Sequence, residues 1–350
     1  MLDGFRVGKF KFVIEAEERL QIPEYAGSAL RGGFGHAFKR AVCVVRHGEC
    51  DRCLVRQQCP YQYVFETPPA ADTEMLRKYP AAPHPFVIEP PLNGRRNYAA
   101  GDSLEFGLTL IGRGIDYLPY FIVAFEELGR TGLGRQHGRY RLAEVRGETR
   151  NRGPDGWAMI YAGDRRVLRD DFRIRTGAEA SDGHEHESRS RLFAVHDHPN
   201  DHAHDHDDDH DHGHDHGRLG IEFLTPTRLK FENRLASDLE FHILIRNLLR
   251  RLSTLSYFHC GQRLDLDFRG LIQRAQAVEA VAKDLRWVEW QRYSARQETT
   301  MLMGGFVGSA QFRGALDEFL PLLRLGEWVH VGKGTVFGLG LFKLALPDSR

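Results

Sequence analysis

Along residues 8–16, GKFKFVIEA, apolar and polar positions alternate, with Phe10, Phe12 and Ile14 on one side, and this two-residue period predicts a first strand. The period then changes. Within GSALRGGFGHAFKRAV, residues 27–42, Leu30, Phe34, Ala37, Phe38 and Ala41 recur at helical spacing behind Ser28, a good N-cap. FVIEPP at 86–91 and SLEFGLTLIG after Asp102 read as strands, and Leu104, Phe106, Leu108 and Leu110 alternate in the second. DYLPYFIVAFEEL at 116–128 reads as a helix, and a strand follows at about 138–146. The order β-α-β-β-α-β is that of a ferredoxin-like fold.

The second half repeats the theme. IEFLTPTRLKF at 221–231 predicts a strand, and a helix at 237–256 carries Leu239, Ile243, Leu244, Leu248, Leu252 and Leu255 inward. Arg246, Arg250 and Arg251 are interspersed with them. A second helix is expected at 266–283, then strands in RWVEWQRYSA and MLMGGFVGSAQFRG, and an amphipathic helix at 312–325 through Phe312, Leu316, Phe319 and Leu323. Last comes Gly326–Leu344, GEWVHVGKGTVFGLGLFKL, read as strand, glycine loop, strand, with Trp328, Val329 and Val331 in the first of these. The expected class is α+β, with two ferredoxin-like domains in tandem. The boundaries are 1–148, a connector at 149–220, and 221–350.

Two loops change the picture. Gly332, Gly334, Gly338 and Gly340 surround Lys333; without side chains there, a phosphate or base could reach the main chain, and a tight hairpin is the alternative. The spacing is neither a P-loop nor a dinucleotide fingerprint. GRTGLGRQHGRYRLAEVR gathers Arg130, Arg135, Arg139 and Arg141, a set suited to phosphate contact or to a solvated loop.

Composition adds an unequal charge distribution. The formal charge is zero, but residues 182–217 hold 11 acidic residues, two arginines and 11 of the 18 histidines. The remainder holds 46 basic against 37 acidic residues, which fits a polyanionic partner. The His/Asp-rich segment has too little apolar content for a core and is expected to be a disordered insertion with loose metal affinity at most. No stretch approaches the ~20 apolar residues of a membrane span, and charges run straight through the first 18 residues, so a cytoplasmic location is expected. Cysteines there serve as metal ligands or thiols more often than as disulfides.

Two candidate centres follow. His36 lies nearly opposite the buried stripe of the first helix, near Gly32, Lys39 and Arg40. Each of Gly32, Gly33 and Gly35 costs the helix about 1 kcal/mol relative to alanine, which suggests a close approach by something. A histidine beside cations on such a face is a candidate for acid–base work; a solvated surface histidine is the alternative. The second centre is Cys43, Cys50, Cys53 and Cys59, C-x6-C-x2-C-x5-C, whose four thiols suit structural zinc or an iron–sulfur cluster. Four thiolates leave no open coordination position, so this site would staple a loop.

Several stretches together resemble a known family. They are Gly27-Ser28-x-Leu30-Arg31-Gly32-x-Phe34-Gly35, the cluster ending Cys59-Pro60-Tyr61, Gly132-Leu133-Gly134, Thr225-Pro226-x-Arg228-Leu229, and Val331-Gly332-Lys333-Gly334-x-x-Phe337-Gly338-x-Gly340. The set is similar to the CRISPR-associated RAMP endoribonucleases that process precursor CRISPR RNA, the "Cas six" family, over nearly the whole chain apart from the His/Asp insertion. The resemblance implies two ferredoxin-like (RRM-like) domains and a terminal glycine loop on the RNA backbone. It implies cleavage without a metal by 2′-OH attack on the adjacent phosphate, leaving a 2′,3′-cyclic phosphate and a 5′-OH. His36 would be the base, Lys39 or Arg40 would stabilise phosphate charge, and Tyr25 would help position the nucleotide; His330 is the runner-up histidine. Arg31, Arg130, Arg135, Gly332, Lys333, Gly334, Gly338 and Gly340 would contact RNA. The competing readings are a non-catalytic RAMP subunit of a CRISPR effector complex and, less well supported, a zinc-stapled DNA-binding regulator. CRISPR repeat RNA is the expected partner, with other effector-complex subunits as further candidates.

Overall fold

The computed structural model describes residues 2–46, 49–68, 73, 82–149, 156–182, 217–236, 238–294 and 299–345. Nearly all of the His/Asp-rich insertion and most of the proline-rich stretch after Thr67 lie outside the described residues.

The first unit is built from β1 (Arg6–Ala16), α1 (Ala26–Val42), β2 (Phe86–Glu89), β3 (Ser103–Ile111), α2 (Leu118–Thr131) and β4 (Tyr140–Glu148). They form an antiparallel sheet in the order β2-β3-β1-β4, the ferredoxin-like arrangement that the element order predicts. Phe12 lies opposite Phe106 across β1 and β3. Both face the helices, where the Phe34 ring of α1 lies 4.9 Å from Phe121 and 4.7 Å from Phe125 of α2. Emptying that position would cost roughly 3–5 kcal/mol.

The sheet runs on into the predicted connector. β5 (Trp157–Ala162) pairs with β4, and Arg175–Thr176 adds a short strand to β1. Half-buried Arg175 lies 2.8 Å from buried Glu148 and ties this return to the sheet. The sequence marks a short strand near Trp157–Tyr161, which β5 bears out, whereas the two-residue run Arg175–Thr176 carries too little periodicity to be read as a strand.

The second unit contains β6 (Arg218–Thr227), α3 (Phe241–Leu255), α4 (Phe268–Ala275), β7 (Glu279–Val288), β8 (Gln291–Ser294), β9 (Thr299–Leu302), β10 (Gly305–Arg313), α5 (Leu320–Val329) and β11 (Phe342–Ala345). Its sheet order, β7-β10-β6-β11, repeats the first with α4 inserted and a β8–β9 hairpin added. Two expectations are corrected here. The helix predicted at 266–283 stops at Ala275, because residues 279–288 pair with β10, and a ladder overrides weak local preference. The helix predicted at 312–325 lies instead at 320–329. Phe312 belongs to β10, and Trp328 and Val329 end the helix rather than start a strand. The helix is buried almost all round, so periodicity could not place it, whereas Pro321 in its first turn could have.

Polar groups are threaded between the two units. Glu89 of β2 accepts from Thr109, 2.8 Å, lies 3.4 Å from Lys9, and faces His330 at the end of α5. Lys9 also lies over the Trp328 ring, 4.9 Å from its centroid. Burial opposes the charge on Glu89, but Lys9 and the other donors outweigh it and hold its carboxyl down at about 2. Burial pushes His330 down to about 4, so it is neutral. His259, at the foot of α3, makes a second link: it is 2.7 Å from the Pro83 carbonyl and 2.9 Å from the Tyr63 hydroxyl. A carbonyl only accepts, so Nε2 carries the proton and Nδ1 accepts from Tyr63.

Candidate nucleic-acid interface

The glycine-rich segment closes on its own sheet and on the first unit. Lys333 N–H donates to the Arg228 carbonyl, 3.0 Å, and Gly340 N–H to the Pro226 carbonyl, 3.2 Å. Thr225 Oγ1 donates to the Gly338 carbonyl, 2.8 Å, and accepts from Leu341 N–H, 2.9 Å. The Thr225–Leu229 motif and the glycine motif are therefore one construction. Gly338 has φ +83°, and a Cβ there would fall 2.3 Å from Pro90 Cδ and 2.7 Å from the Ile88 carbonyl. On α1, a Cβ at Gly27 would fall 2.0 Å from the Phe337 carbonyl. Here the glycines serve contact between the two units. That explains two of them without a ligand, and leaves Lys333 exposed between Gly332 and Gly334.

Tyr25 joins the same contact. Its hydroxyl donates to the Phe337 carbonyl, 2.9 Å, and its ring lies 4.8 Å from Trp290. Burial raises its pKa far above the usual phenol range. Arg31, one turn and a half along, lies between the rings of Phe65, 5.1 Å, and Phe337, 5.4 Å. Both residues hold the glycine segment against α1.

The outer face of α1 is different. His36 is exposed, and Gly32, four residues earlier on the same face, would have nothing within 4 Å of an added Cβ. Gly33, by contrast, makes room for Leu128 of α2, which a Cβ would meet at 2.7 Å. Lys39 is exposed, its ammonium 5.5 Å from the Tyr61 ring centre. Arg40 turns the other way, donating to Thr131 at 3.1 Å and lying 3.5 Å from Glu127. His36 and Lys39 thus share a face, and Arg40 is drawn toward α2.

The basic loop after α2 is largely paired. Arg130 lies 3.5 Å from Glu127, Arg139 lies 2.7 Å from Glu18, and Arg141 lies 2.5 Å from Glu15. Arg135 is exposed. The loop's glycines back onto residues 19–22, since a Cβ at Gly134 would fall 2.2 Å from the Gln21 carbonyl. His330, the alternative histidine, is fully buried and donates to the Leu339 carbonyl at 3.1 Å, so it sits in the seam between the units and faces no solvent.

Beyond the last turn of α1, Cys43, Cys50, Cys53 and Cys59 line one cavity of about 240 Å³ together with Lys39 and Tyr61. All four are half-buried free thiols. The donor set suits a thiophilic ion in kind, and the thiols share one space. Among the described residues, however, no three His, Cys, Asp or Glu side chains are gathered closely enough to hold a metal ion.

Sequence reasoning missed Trp290 and Glu89, and it quoted Arg228 only as part of a motif. Nothing local marks Trp290 or Glu89. Arg228 follows directly on the end of β6, at Thr227, within the Thr225–Leu229 motif.

Two tandem ferredoxin-like sheets are docked through a glycine segment that is tied to the first helix. Residues 221–342, about a third of the chain, match the family model of the CRISPR-associated endoribonuclease Cas6. Residues 5–172 match a model described as an N-terminal domain. An uncharacterized protein of Archaeoglobus fulgidus is 30% identical over 125 residues, which is 35% of this chain and 40% of that protein, so the match spans less than half of that relative. Among solved structures, a Cas6 product complex matches with a TM-score of 0.53 and 17% identity, covering 97% of this chain and 99% of that one. A partial Cas6-RT-Cas1–Cas2 complex matches with a TM-score of 0.55 and 14% identity, over 99% of this chain and 47% of that chain. At such identities these structures establish a shared fold.

Proposed function

We propose that the protein is an endoribonuclease that cuts precursor CRISPR RNA within its repeats. The observation that carries this reading is the pairing of His36 with Gly32 on one open face of α1, in a chain whose second half matches the Cas6 model. A helix interior keeps a glycine at a cost of about 1 kcal/mol, and none of the described residues needs this one, so an outside partner is the proposed reason.

In the proposed reaction His36 takes the proton of a ribose 2′-OH. The 2′-oxygen forms a bond to the adjacent phosphorus, and the bond to the 5′-oxygen breaks. A proton delivered to that oxygen gives a 5′-OH end and leaves a 2′,3′-cyclic phosphate. Lys39, on the same face, offsets the charge on the phosphorane. Arg40 is held by Glu127 and Thr131 and serves α1–α2 packing first. The test is cleavage of labelled repeat RNA in EDTA, with a 2′-deoxy substrate and His36→Ala in parallel. Loss of about 10²- to 10⁴-fold in rate with binding retained is expected for the variant. Tight binding without cutting of any repeat by the intact protein would favour the non-catalytic subunit instead.

We propose further that Cys43, Cys50, Cys53 and Cys59 hold a structural zinc ion. The four residues line one cavity without yet being gathered to ligand distance, so bound metal would draw them together and fix the segment that follows α1.

A further inference from the structure

The spot around Met303 has hydrogen-bond donors and too few acceptors. Met303 N–H donates to the Trp290 carbonyl, 2.9 Å, and Met303 sulfur is 2.9 Å from an Arg228 guanidinium nitrogen. A thioether is a weak acceptor, a poor partner for a guanidinium. Arg228 Nε and Trp290 Nε1 are both buried with no acceptor among the described residues. No described carboxylate lies within ion-pair distance of Arg228, whose guanidinium is pushed down from its usual range by burial alone. Exposed Lys333 is tied to the same place, because its N–H donates to the Arg228 carbonyl. A Cβ at Gly334 would lie 3.5 Å from Met303. Beside these donors stands the Trp290–Tyr25 ring pair.

Buried donors without acceptors are unfavourable, more so when charged, and an anion would satisfy them. We infer that Arg228, Trp290 Nε1 and Lys333 form a binding site for one phosphodiester of the RNA strand, with the Trp290–Tyr25 pair as its apolar wall. The inference rests on the RNA-processing reading and adds a site to it. Tyr25 precedes His36 by 11 residues, about 16 Å along α1 at 1.5 Å per residue. The site therefore grips the strand away from the scissile bond, and Arg228 acts as a positioning residue that sets which phosphate reaches His36.

The test is binding and cleavage of repeat RNA by the full chain, wild type and Arg228→Met, Arg228→Lys and Trp290→Phe, with folding followed by circular dichroism. Each RNA carries one uncharged methylphosphonate, scanned along the repeat. Arg228→Met should bind roughly 10- to 100-fold more weakly, lower the slope of log affinity against log salt by about 1, and shift or blur the cut position. Arg228→Lys should restore the salt slope. One methylphosphonate should weaken the wild type and add nothing to Arg228→Met. If folded Arg228→Met keeps the wild-type salt slope and every methylphosphonate acts equally on both proteins, the site is refuted while the nuclease reading stands. If the wild type neither binds nor cuts repeat RNA, that reading falls and this site falls with it.

Discussion

Gly32→Ala separates what the fold needs from what a partner needs. The residue lies inside the 17-residue helix α1, and its new methyl would meet nothing within 4 Å. No clash offsets the helix propensity gained, so stability should rise by about 1 kcal/mol. For a unit of this size that is a rise of about 2–4 °C in melting temperature. The same methyl stands four residues from His36, on the face where the scissile strand is proposed to lie. Repeat RNA should then bind roughly 10-fold more weakly, or be cut that much more slowly, on a protein that is more stable. Gly27→Ala is the contrast: its methyl would be driven to within 2.0 Å of the Phe337 carbonyl, and overpacking of that kind costs about 1–3 kcal/mol. The assay is a melting scan with filter binding and single-turnover cleavage on both variants. A Gly32→Ala protein that is stabilised and processes RNA at wild-type rate would refute the claim that this face receives the strand. One that is destabilised would refute the packing analysis.

Gly338→Ala should lower stability by about 2–4 kcal/mol, since it combines left-handed backbone with a 2.3 Å approach to Pro90; an unchanged urea midpoint would contradict the contact between the units. Acid should loosen the same seam. Burial holds His259 and His330 neutral, each with its pKa lowered to about 4, below the ~6.5 of an unfolded chain. The unfolded state therefore binds more protons between those values, and stability rises with pH across that window. It should be present above pH 6.5 and fall as pH drops toward 4, by up to about 1.4 kcal/mol per pH unit for each histidine. Urea midpoints at pH 7, 6 and 5 should decline and His259→Gln should shallow the decline; a flat profile would count against it. Elemental analysis of purified protein should find about one zinc per chain, reduced by Cys50→Ser together with the melting temperature; brown colour with bound iron would mean a cluster instead, and absence of both metals would leave the thiols free.

How much could be read in the sequence varies by element and for a physical reason. Period-two alternation in β1 and β3, and the stripe Leu30–Phe34–Phe38 on α1, marked the first sheet and its helix because one side of each is buried and the other wet. α5 lacks that contrast. It is buried almost all round, so its residues looked like a strand, and only Pro321 betrayed the true start. β7 became a strand because β10 offered it a ladder, a fact about a partner more than 20 residues away in sequence.

The site divides in the same way. His36, Lys39 and Gly32 could be placed together from the helical period alone, since residues three and four apart share a helix face. The reason for most of the glycines could not. Gly27 and Gly338 are small because segments about 250 to 310 residues apart press together, and Tyr25 donates across to Phe337 at the same contact. Periods and spacings within single elements were enough for the first βαββαβ unit, the exposed histidine and the count of thiols. Packing between distant segments set the rest: Tyr25 and Arg31 clamp a glycine segment, His330 is buried in the seam, and Arg228 and Trp290 meet at Met303. Those facts depend on which surfaces are desolvated against each other, and no local pattern of residues records that.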